Sequence, residues 1–224
     1  VRAWGWWVLQ QAKADLERFY PTVDGKPTVA YLWARTVTCK NCRATVPLLK
    51  TRWLCKKENK RVVLTMKPNE DKTGVVFGVQ EDMPSSKGTV AQRREAEKRT
   101  SGGTMSGSGV TCPCCGTIMK MEDIRLEGLA GRLGSVMTAV VVDGDNGKEY
   151  RLPTEDEIRL ATEAEQEILH VFAEIPYGLP EEPLPTKETL GFRVPLYGFD
   201  QWHKLFTPRQ LLALGTFVKY TRAI

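Results

Sequence analysis

The sequence is organised around two cysteine pairs, Cys39-Lys40-Asn41-Cys42 and Cys112-Pro113-Cys114-Cys115, the second of which is followed by Gly116. Two residues between the cysteines of a pair allow both sulfur atoms to face one point, and two such pairs provide the four thiolates of a tetrahedral zinc site. Because 69 residues separate Cys42 from Cys112, the site would join two distant stretches of chain. We therefore predict a structural zinc ion bound by Cys39, Cys42, Cys112 and Cys115.

Other uses of these cysteines have less support. A disulfide framework is typical of secreted chains, and nothing else in the sequence indicates secretion. A catalytic zinc ion keeps one position open for water, which four thiolates would close. Cys114 could replace Cys115 as a ligand, but Cys115 keeps the two-residue spacing and precedes a glycine suited to a tight turn. Three further residues lack a partner at metal-binding spacing and are interpreted as structural: Cys55, His170 and His203.

The composition is that of a globular chain with one domain or two small ones. It has 224 residues, of which 42% are hydrophobic and 26% are charged. No apolar run approaches the length of a transmembrane helix, and the apolar first residues lack the layout of a signal peptide. We expect a cytoplasmic protein without a membrane partner. The first residues have the pattern of the middle of a helix, so we expect the chain to be part of a longer polypeptide.

The net charge of +5 conceals an asymmetry along the chain. Residues 35–67 hold ten basic side chains and one acidic one, whereas residues 149–188 hold eleven acidic and three basic ones. Such segregation indicates that the basic region contacts a polyanion. A solvated charged hairpin is the alternative, but the region includes the first cysteine pair and Trp53, and Trp33 lies just before it. We expect nucleic-acid contacts from seven residues: Lys50, Arg52, Trp53, Lys56, Lys57, Lys60 and Arg61.

The hydrophobic pattern predicts an α+β fold: a four-cysteine zinc ribbon with extended antiparallel β-hairpins, flanked by amphipathic helices. Residues 1–20 have helical spacing, and capping boxes at Thr154–Glu157 and Thr207–Gln210 begin two later helices. Strands are predicted at residues 29–37, 45–54, 61–66, 75–79, 118–124, 136–142 and 149–152.

These elements divide the chain into three segments. Residues 1–28 form a helix and a loop, residues 29–152 a zinc-ribbon β domain, and residues 153–224 a helical and proline-rich segment. Within the β domain, residues 84–109 are rich in basic residues, glycine and serine. That composition cannot bury enough apolar surface to offset the cost of ordering, so we predict a mobile loop.

The sequence provides no catalytic constellation. No strand, glycine-rich turn and helix occur in the order that holds a cofactor, and no nucleophile has a recognisable base. We predict that this span has no catalytic residues of its own.

Several stretches together resemble the zinc-ribbon-containing, adenine-specific DNA methylases of bacteria and archaea. The resemblance covers nearly the whole chain and includes the two cysteine pairs. It also includes Tyr31–Cys39, Gly131–Leu133, Lys148–Thr154, Arg193–Gly198 and Leu205–Leu211. One departure is Arg43, where a cysteine turn of this type usually has glycine.

The resemblance implies a fragment that lies between the two catalytic motifs of such an enzyme. In that family a glycine-rich loop that binds S-adenosylmethionine lies upstream, and a Pro-Pro-Tyr catalytic loop lies downstream. Only the four cysteines carry over to this chain, and S-adenosylmethionine is expected only in the parent enzyme. The implied partners are DNA and the rest of the methyltransferase polypeptide, on which the flanking helices would pack.

Two functions therefore compete. The first is a DNA-engaging or target-recognition segment of an adenine-specific DNA methyltransferase, whose basic residues contact phosphates while Trp53 stacks on an extruded base. The second is a zinc-stabilised protein-interaction module that does not contact DNA. A self-sufficient enzyme is the weakest possibility, because the span lacks an acid–base or cofactor constellation.

Overall fold

The computed structural model describes residues 1–84 and 88–224, and the chain divides into two compact units. The helical unit combines Val1–Gly25 with Thr154–Ile224, and the β unit comprises Lys26–Pro153. The fold class is α+β with antiparallel sheets, as the hydrophobic pattern predicts.

The α-helices of the described residues are α1 (Arg2–Leu16), α2 (Val90–Ser101), α3 (Met121–Leu129), α4 (Glu155–Ala173), α5 (Lys187–Leu190) and α6 (Pro208–Arg222). The strands are β1 (Thr28–Thr38), β2 (Thr45–Pro47), β3 (Trp53–Lys57), β4 (Lys60–Pro68), β5 (Val75–Gln80), β6 (Met105–Ser106), β7 (Gly109–Thr111), β8 (Ile118–Met119), β9 (Gly134–Gly144) and β10 (Gly147–Arg151). In this described part, no helix combines the length and apolar character needed to cross a membrane.

Helices α1, α4 and α6 enclose the core of the helical unit. Buried side chains recur at helical spacing on each of them, which is the pattern of an amphipathic helix. The core comprises Ala12, Leu16, Phe19, Ala164, Ile168, Val171, Phe172, Ile175, Leu211 and Leu212. Gly215 allows α6 to approach α4 closely, because a Cβ there would lie 2.7 Å from the Phe172 ring.

Both predicted capping boxes are present. The hydroxyls of Thr154 and Thr207 accept the backbone N–H groups of Glu157 and Gln210, and those two side chains accept the threonine N–H groups in return. Each box satisfies two donors that a helix N-terminus otherwise leaves unpaired.

The described residues of the β unit form three antiparallel sheets. The largest has the strand order β10-β9-β1-β2, and the other two have the orders β3-β4-β5 and β6-β7-β8. Strand β9 pairs with β10 and β1 in the largest sheet, and its residues Met137–Val142 are all buried, so both of its faces are covered there. The first cysteine pair follows β1, and the second lies between β7 and β8.

The structure corrects the expected mobile loop at residues 84–109, of which residues 85–87 lie outside the described part. Helix α2 begins at a third capping box, formed by Thr89 and Gln92. Two of the glycines that follow allow a close approach of backbone segments. A Cβ on Gly103 would lie 2.0 Å from the carbonyl oxygen of Leu49, and one on Gly109 would lie 2.2 Å from that of Met119.

Two predicted strands are also corrected. Residues 118–124 form only the short strand β8 before α3 begins, because the carboxylate of Asp123 accepts the backbone N–H of Lys120 and starts a helix there. The predicted strand at residues 45–54 is divided into β2 and the start of β3. Between them, the backbone of Leu49 and Lys50 bonds instead to residues 103–105.

Candidate metal centre

The first cysteine pair lies in a tight turn between β1 and β2. The N–H of Cys39 donates to the carbonyl of Ala44 (2.8 Å), and the N–H of Arg43 donates to the carbonyl of Cys39 (3.0 Å). Arg43 has a left-handed backbone with φ of 65°. This is the position at which such turns usually have glycine, and a non-glycine residue adopts this conformation at an energetic cost.

The second cysteine pair lies in a turn with the same hydrogen bonds. The N–H of Cys112 donates to the carbonyl of Thr117 (2.9 Å), and the N–H of Gly116 donates to the carbonyl of Cys112 (2.9 Å). Gly116 has φ of 75° and is the counterpart of Arg43. The two turns are thus equivalent in backbone geometry although they lie in different sheets.

The two turns bring Cys39, Cys42, Cys112 and Cys115 together, with all four sulfur atoms within 4.8 Å of one another. The sulfur atoms of Cys39 and Cys115 are 3.8 Å apart, and those of Cys42 and Cys112 are 3.7 Å apart. Four thiolates bound tetrahedrally with Zn–S bonds of about 2.3 Å would be about 3.8 Å from one another. The cluster therefore has the size of a tetrahedral thiolate site and could hold a metal ion.

The four cysteines differ in their electrostatic surroundings. The hydroxyl and N–H of Thr117, followed by the side chain of Asn41, donate hydrogen bonds that lower the pKa of Cys115 to about 5. Burial raises the pKa of Cys112 to about 12. A bound cation would stabilise the thiolate form of every ligand, so metal binding here would release protons.

A salt bridge supports the first turn from outside. The ammonium group of Lys40 lies 2.7 Å from the carboxylate of Asp123, at the start of α3. The same carboxylate accepts the backbone N–H of Lys120 at 2.8 Å. One of the two residues between the first two cysteines is thereby connected to the helix that follows the second pair.

The two remaining cysteines lie outside the cluster. The thiol of Cys114 donates to the carbonyl of Gly74 at 3.3 Å, away from the four sulfur atoms. Cys55 is buried on β3, where it hydrogen-bonds to Tyr150. Burial, followed by this hydrogen bond, raises the pKa of Tyr150 to about 12.

Of the seven residues expected to contact nucleic acid, Arg52 is engaged within the protein. Its guanidinium donates to the carbonyls of Thr100 (2.7 Å), Gly102 (2.9 Å) and Leu64 (3.3 Å). The last carbonyls of a helix have no partner within the helix. Arg52 therefore caps the C-terminal end of α2 and fastens it to the β3-β4-β5 sheet.

Lys56, Arg61 and Trp53 also make internal contacts. The carboxylate of Glu97, on α2, forms ion pairs with both Lys56 and Arg61. The hydrogen bonds that Lys56 and Arg61 donate lower the pKa of Glu97, and the bond from Lys56 has the larger effect. The Arg61 guanidinium lies 4.6 Å from the centre of the half-buried Trp53 ring.

The other three residues differ in how far their side chains are exposed. Lys50 and Lys57 are exposed and Lys60 is half-buried. Lys57 and Lys60 lie directly opposite each other at the end of the β3-β4 hairpin. Like charges in this arrangement repel each other. Among the described residues, none of these three lysines has an ion pair.

Sequence reasoning missed the basic residues of α2 because it treated their segment as a loop. The signal that could have found the helix is Thr89-Val90-Ala91-Gln92, which has the same capping-box pattern as the starts of α4 and α6. The helix was not predicted because its apolar content is low and α2 has no hydrophobic stripe.

The comparisons with known proteins return nothing: no family model matches the chain, and no curated protein or solved structure has significant similarity to it.

Proposed function

We propose that the β unit is a zinc-stabilised module that engages DNA within an adenine-specific DNA methyltransferase, and that the span does not catalyse methyl transfer itself. The proposal depends on a zinc ion bound by Cys39, Cys42, Cys112 and Cys115. Four thiolates favour a soft, tetrahedral metal such as zinc and leave no position open for a reacting water. The role of the ion is accordingly structural.

Charge distribution is the observation that carries the DNA-binding part of this proposal. The β unit has 22 basic and 13 acidic side chains, a net charge of +9, whereas the helical unit has 10 basic and 14 acidic ones, a net charge of −4. The excess positive charge thus belongs to the unit that contains the cysteine cluster. A local excess of this size favours a polyanionic partner.

Lys50, Lys57 and Lys60 are the strongest candidates for phosphate contacts. The repulsion between Lys57 and Lys60 at the hairpin end would be relieved by an anion placed between them. Contacts of this kind position a nucleic acid without selecting its sequence.

The helical unit supports the second proposed partner, the rest of the methyltransferase polypeptide. Trp4 and Trp6 of α1 are 56% and 64% exposed, although tryptophan is highly buried on average. On the same unit, a groove of about 660 Å³ is lined by apolar residues that include Leu9, Leu16 and Phe217. We propose that the body of the enzyme covers these residues and supplies the site for S-adenosylmethionine.

The alternative is a protein-interaction module that does not contact DNA. One observation favours it: Arg52, Lys56 and Arg61 already have partners within the β unit. Part of the basic character of the hairpin would then serve to hold α2 in place.

A salt titration of DNA binding distinguishes the two functions. The zinc-loaded chain is titrated with a labelled DNA duplex at several salt concentrations, and the log–log salt slope is expected to reach about −0.9 per phosphate contact. Replacing Lys50, Lys57 and Lys60 together by glutamine should flatten the slope by roughly 2 to 3 units if all three make contact.

The matched control replaces Lys187, Arg193 and Arg222 by glutamine, because these exposed residues carry the same charge on the helical unit. Absence of binding, or equal slopes for both variants, would reject DNA engagement by the hairpin. Transfer of a labelled methyl group to DNA by the purified chain would reject the statement that the span is inactive.

A further inference from the structure

Helix α2 is unusual because it is polar on every side. Its twelve residues, Val90–Ser101, include six charged side chains, and Ser101 is its one buried residue. A helix of this kind cannot be held in place by an apolar stripe. Polar contacts must hold it in place, and the rest of its surface remains open to solvent or to a partner.

One side of α2 is attached to the β3-β4 hairpin. Glu97 forms the ion pairs with Lys56 and Arg61, and Arg52 caps the C-terminal carbonyls of the helix. These contacts neutralise Glu97, which would otherwise repel an anion. A second acidic residue, Glu95, is paired with Arg99 at 3.4 Å. Both carboxylates of the helix are therefore compensated within the protein.

Three basic residues of α2 take no part in these contacts. Arg93, Arg94 and Lys98 are exposed, and within the described part of the chain none of them has an ion pair. Arg94 and Lys98 are four residues apart and hence adjacent on the helix surface. Like charges at this spacing destabilise a helix by about 0.2–0.5 kcal/mol. An anionic partner would convert this repulsion into binding.

We propose that Arg93, Arg94 and Lys98 of α2 form an interaction surface for the phosphate backbone of duplex DNA. The inference rests on the proposed function and names a contact element for it that is separate from Lys50, Lys57 and Lys60. Side chains at this helical spacing have Cβ atoms about 5–6 Å apart. Each strand of duplex DNA carries one charge per about 3.4 Å of axis. Long basic side chains at that spacing can therefore reach neighbouring phosphates of one strand.

The hairpin gives this surface a fixed position. Because Arg52 and Glu97 fasten α2 to the sheet, the basic side chains are presented by a helix whose position is set by these contacts. Less conformational entropy is then lost when DNA binds.

The test uses the zinc-loaded full chain with Arg94 and Lys98 both replaced by glutamine. If both contact phosphates, the log–log salt slope for duplex DNA should flatten by about 2 units. The matched control replaces Glu95 and Arg99 by glutamine, which removes two charges from the same helix and leaves the net charge unchanged. We expect the slope of this control to equal that of the unmodified chain.

The outcomes separate the inference from the function on which it rests. An unchanged slope for the Arg94/Lys98 variant, together with a flatter slope for the Lys50/Lys57/Lys60 variant, overturns the inference and leaves DNA binding intact. Absence of DNA binding by the unmodified chain overturns both. An acidic protein partner is tested with poly-glutamate: if the Arg94/Lys98 variant loses affinity for poly-glutamate but keeps its affinity for DNA, the inference is wrong.

Discussion

The guanidinium of Arg61 lies 4.6 Å from the centre of the Trp53 ring. A cation at this distance is attracted to the ring face, and the interaction stabilises exposed sites by about 0.5–1 kcal/mol. Arg61 also forms an ion pair with Glu97, so Trp53 belongs to a group of residues that connects the sheet to α2. Trp53 thus has two possible roles: it could stack on an extruded base, or it could hold the sheet and α2 together.

Replacing Trp53 by alanine separates the two roles. If the ring is structural, we expect the zinc-loaded chain to become less stable by about 1–3 kcal/mol, from lost packing and the lost cation–π contact. Chemical denaturation measures this change. Replacement of Trp6, which is 64% exposed, is the control and should have a much smaller effect. Unchanged stability with weaker binding to single-stranded DNA would instead support base stacking.

Metal removal should unfold at least the β unit, because ligation contributes free energy directly to the folding of such sites. We expect about one zinc ion per chain by metal analysis. Replacing Cys39 by serine should abolish stoichiometric binding, whereas Cys114→Ser should retain it, since that thiol lies outside the cluster. Retention of zinc by the Cys39 variant would contradict the ligand assignment.

The local signals in the sequence were sufficient to predict the fold class and the meeting of four cysteines. Each cysteine pair forms its turn from neighbouring residues, and each confirmed capping box needs only four consecutive residues. Strand β9 could be predicted because Val136–Val142 is a short run rich in β-branched residues.

The parts that could not be predicted depend on contacts between distant residues. Helix α2 is fixed by Arg52, which is 48 residues from Thr100 in sequence. The need for glycine at position 103 comes from the carbonyl of Leu49, and no local pattern indicates that approach. Composition alone suggested disorder, because glycine-rich sequence is common to mobile loops and to closely packed backbone.

Arg52 should matter for stability more than its basic neighbours. Replacing Arg52 by glutamine leaves the final carbonyls of α2 without their charged donor, and we expect a loss of about 2 kcal/mol in the free energy of unfolding. The same change at Lys50, which is exposed, should have little effect on stability. Equal effects on denaturation midpoints would show that Arg52 does not anchor the helix.

The attachment of α2 should weaken in acid. The hydrogen bond from Lys56, followed by that from Arg61, lowers the pKa of Glu97 below its ordinary value of 4.5. A carboxyl group with a lowered pKa stabilises the folded state fully at pH values above its ordinary pKa. This contribution is lost as the pH falls through the folded-state pKa. Amide hydrogen exchange in α2, compared between neutral and acidic pH, measures the loss.

Glu97→Gln is the variant that tests this pH dependence, and Glu95→Gln is its control. Metal release in acid affects both variants alike. We therefore expect α2 of the Glu97 variant to exchange faster at neutral pH and to show a smaller further change in acid. If both variants have the same pH profile, the Glu97 ion pairs do not hold the helix.

Gly116 offers a test of backbone conformation alone. It has φ of 75°, and a Cβ added there would meet nothing within 4 Å. We expect Gly116→Ala to destabilise the zinc-loaded chain by about 1–2 kcal/mol, the usual cost of a left-handed conformation. Gly107→Ala is the control, because a Cβ there also meets open space and the backbone is not left-handed. Thermal denaturation that fails to distinguish the two variants would contradict this explanation.

The separation of the two cysteine pairs has a consequence for synthesis of the protein. A ribosome that adds about 5–20 residues per second would finish Cys42 roughly 3–14 s before Cys112. During that interval Cys39 and Cys42 can bind a metal ion only with temporary ligands in the other two positions. If the four cysteines bind a metal ion, maturation of the centre would then be a ligand exchange, in which Cys112 and Cys115 displace those ligands. A thiophilic competitor such as Cu(I), present during translation, would have its best opportunity at this stage.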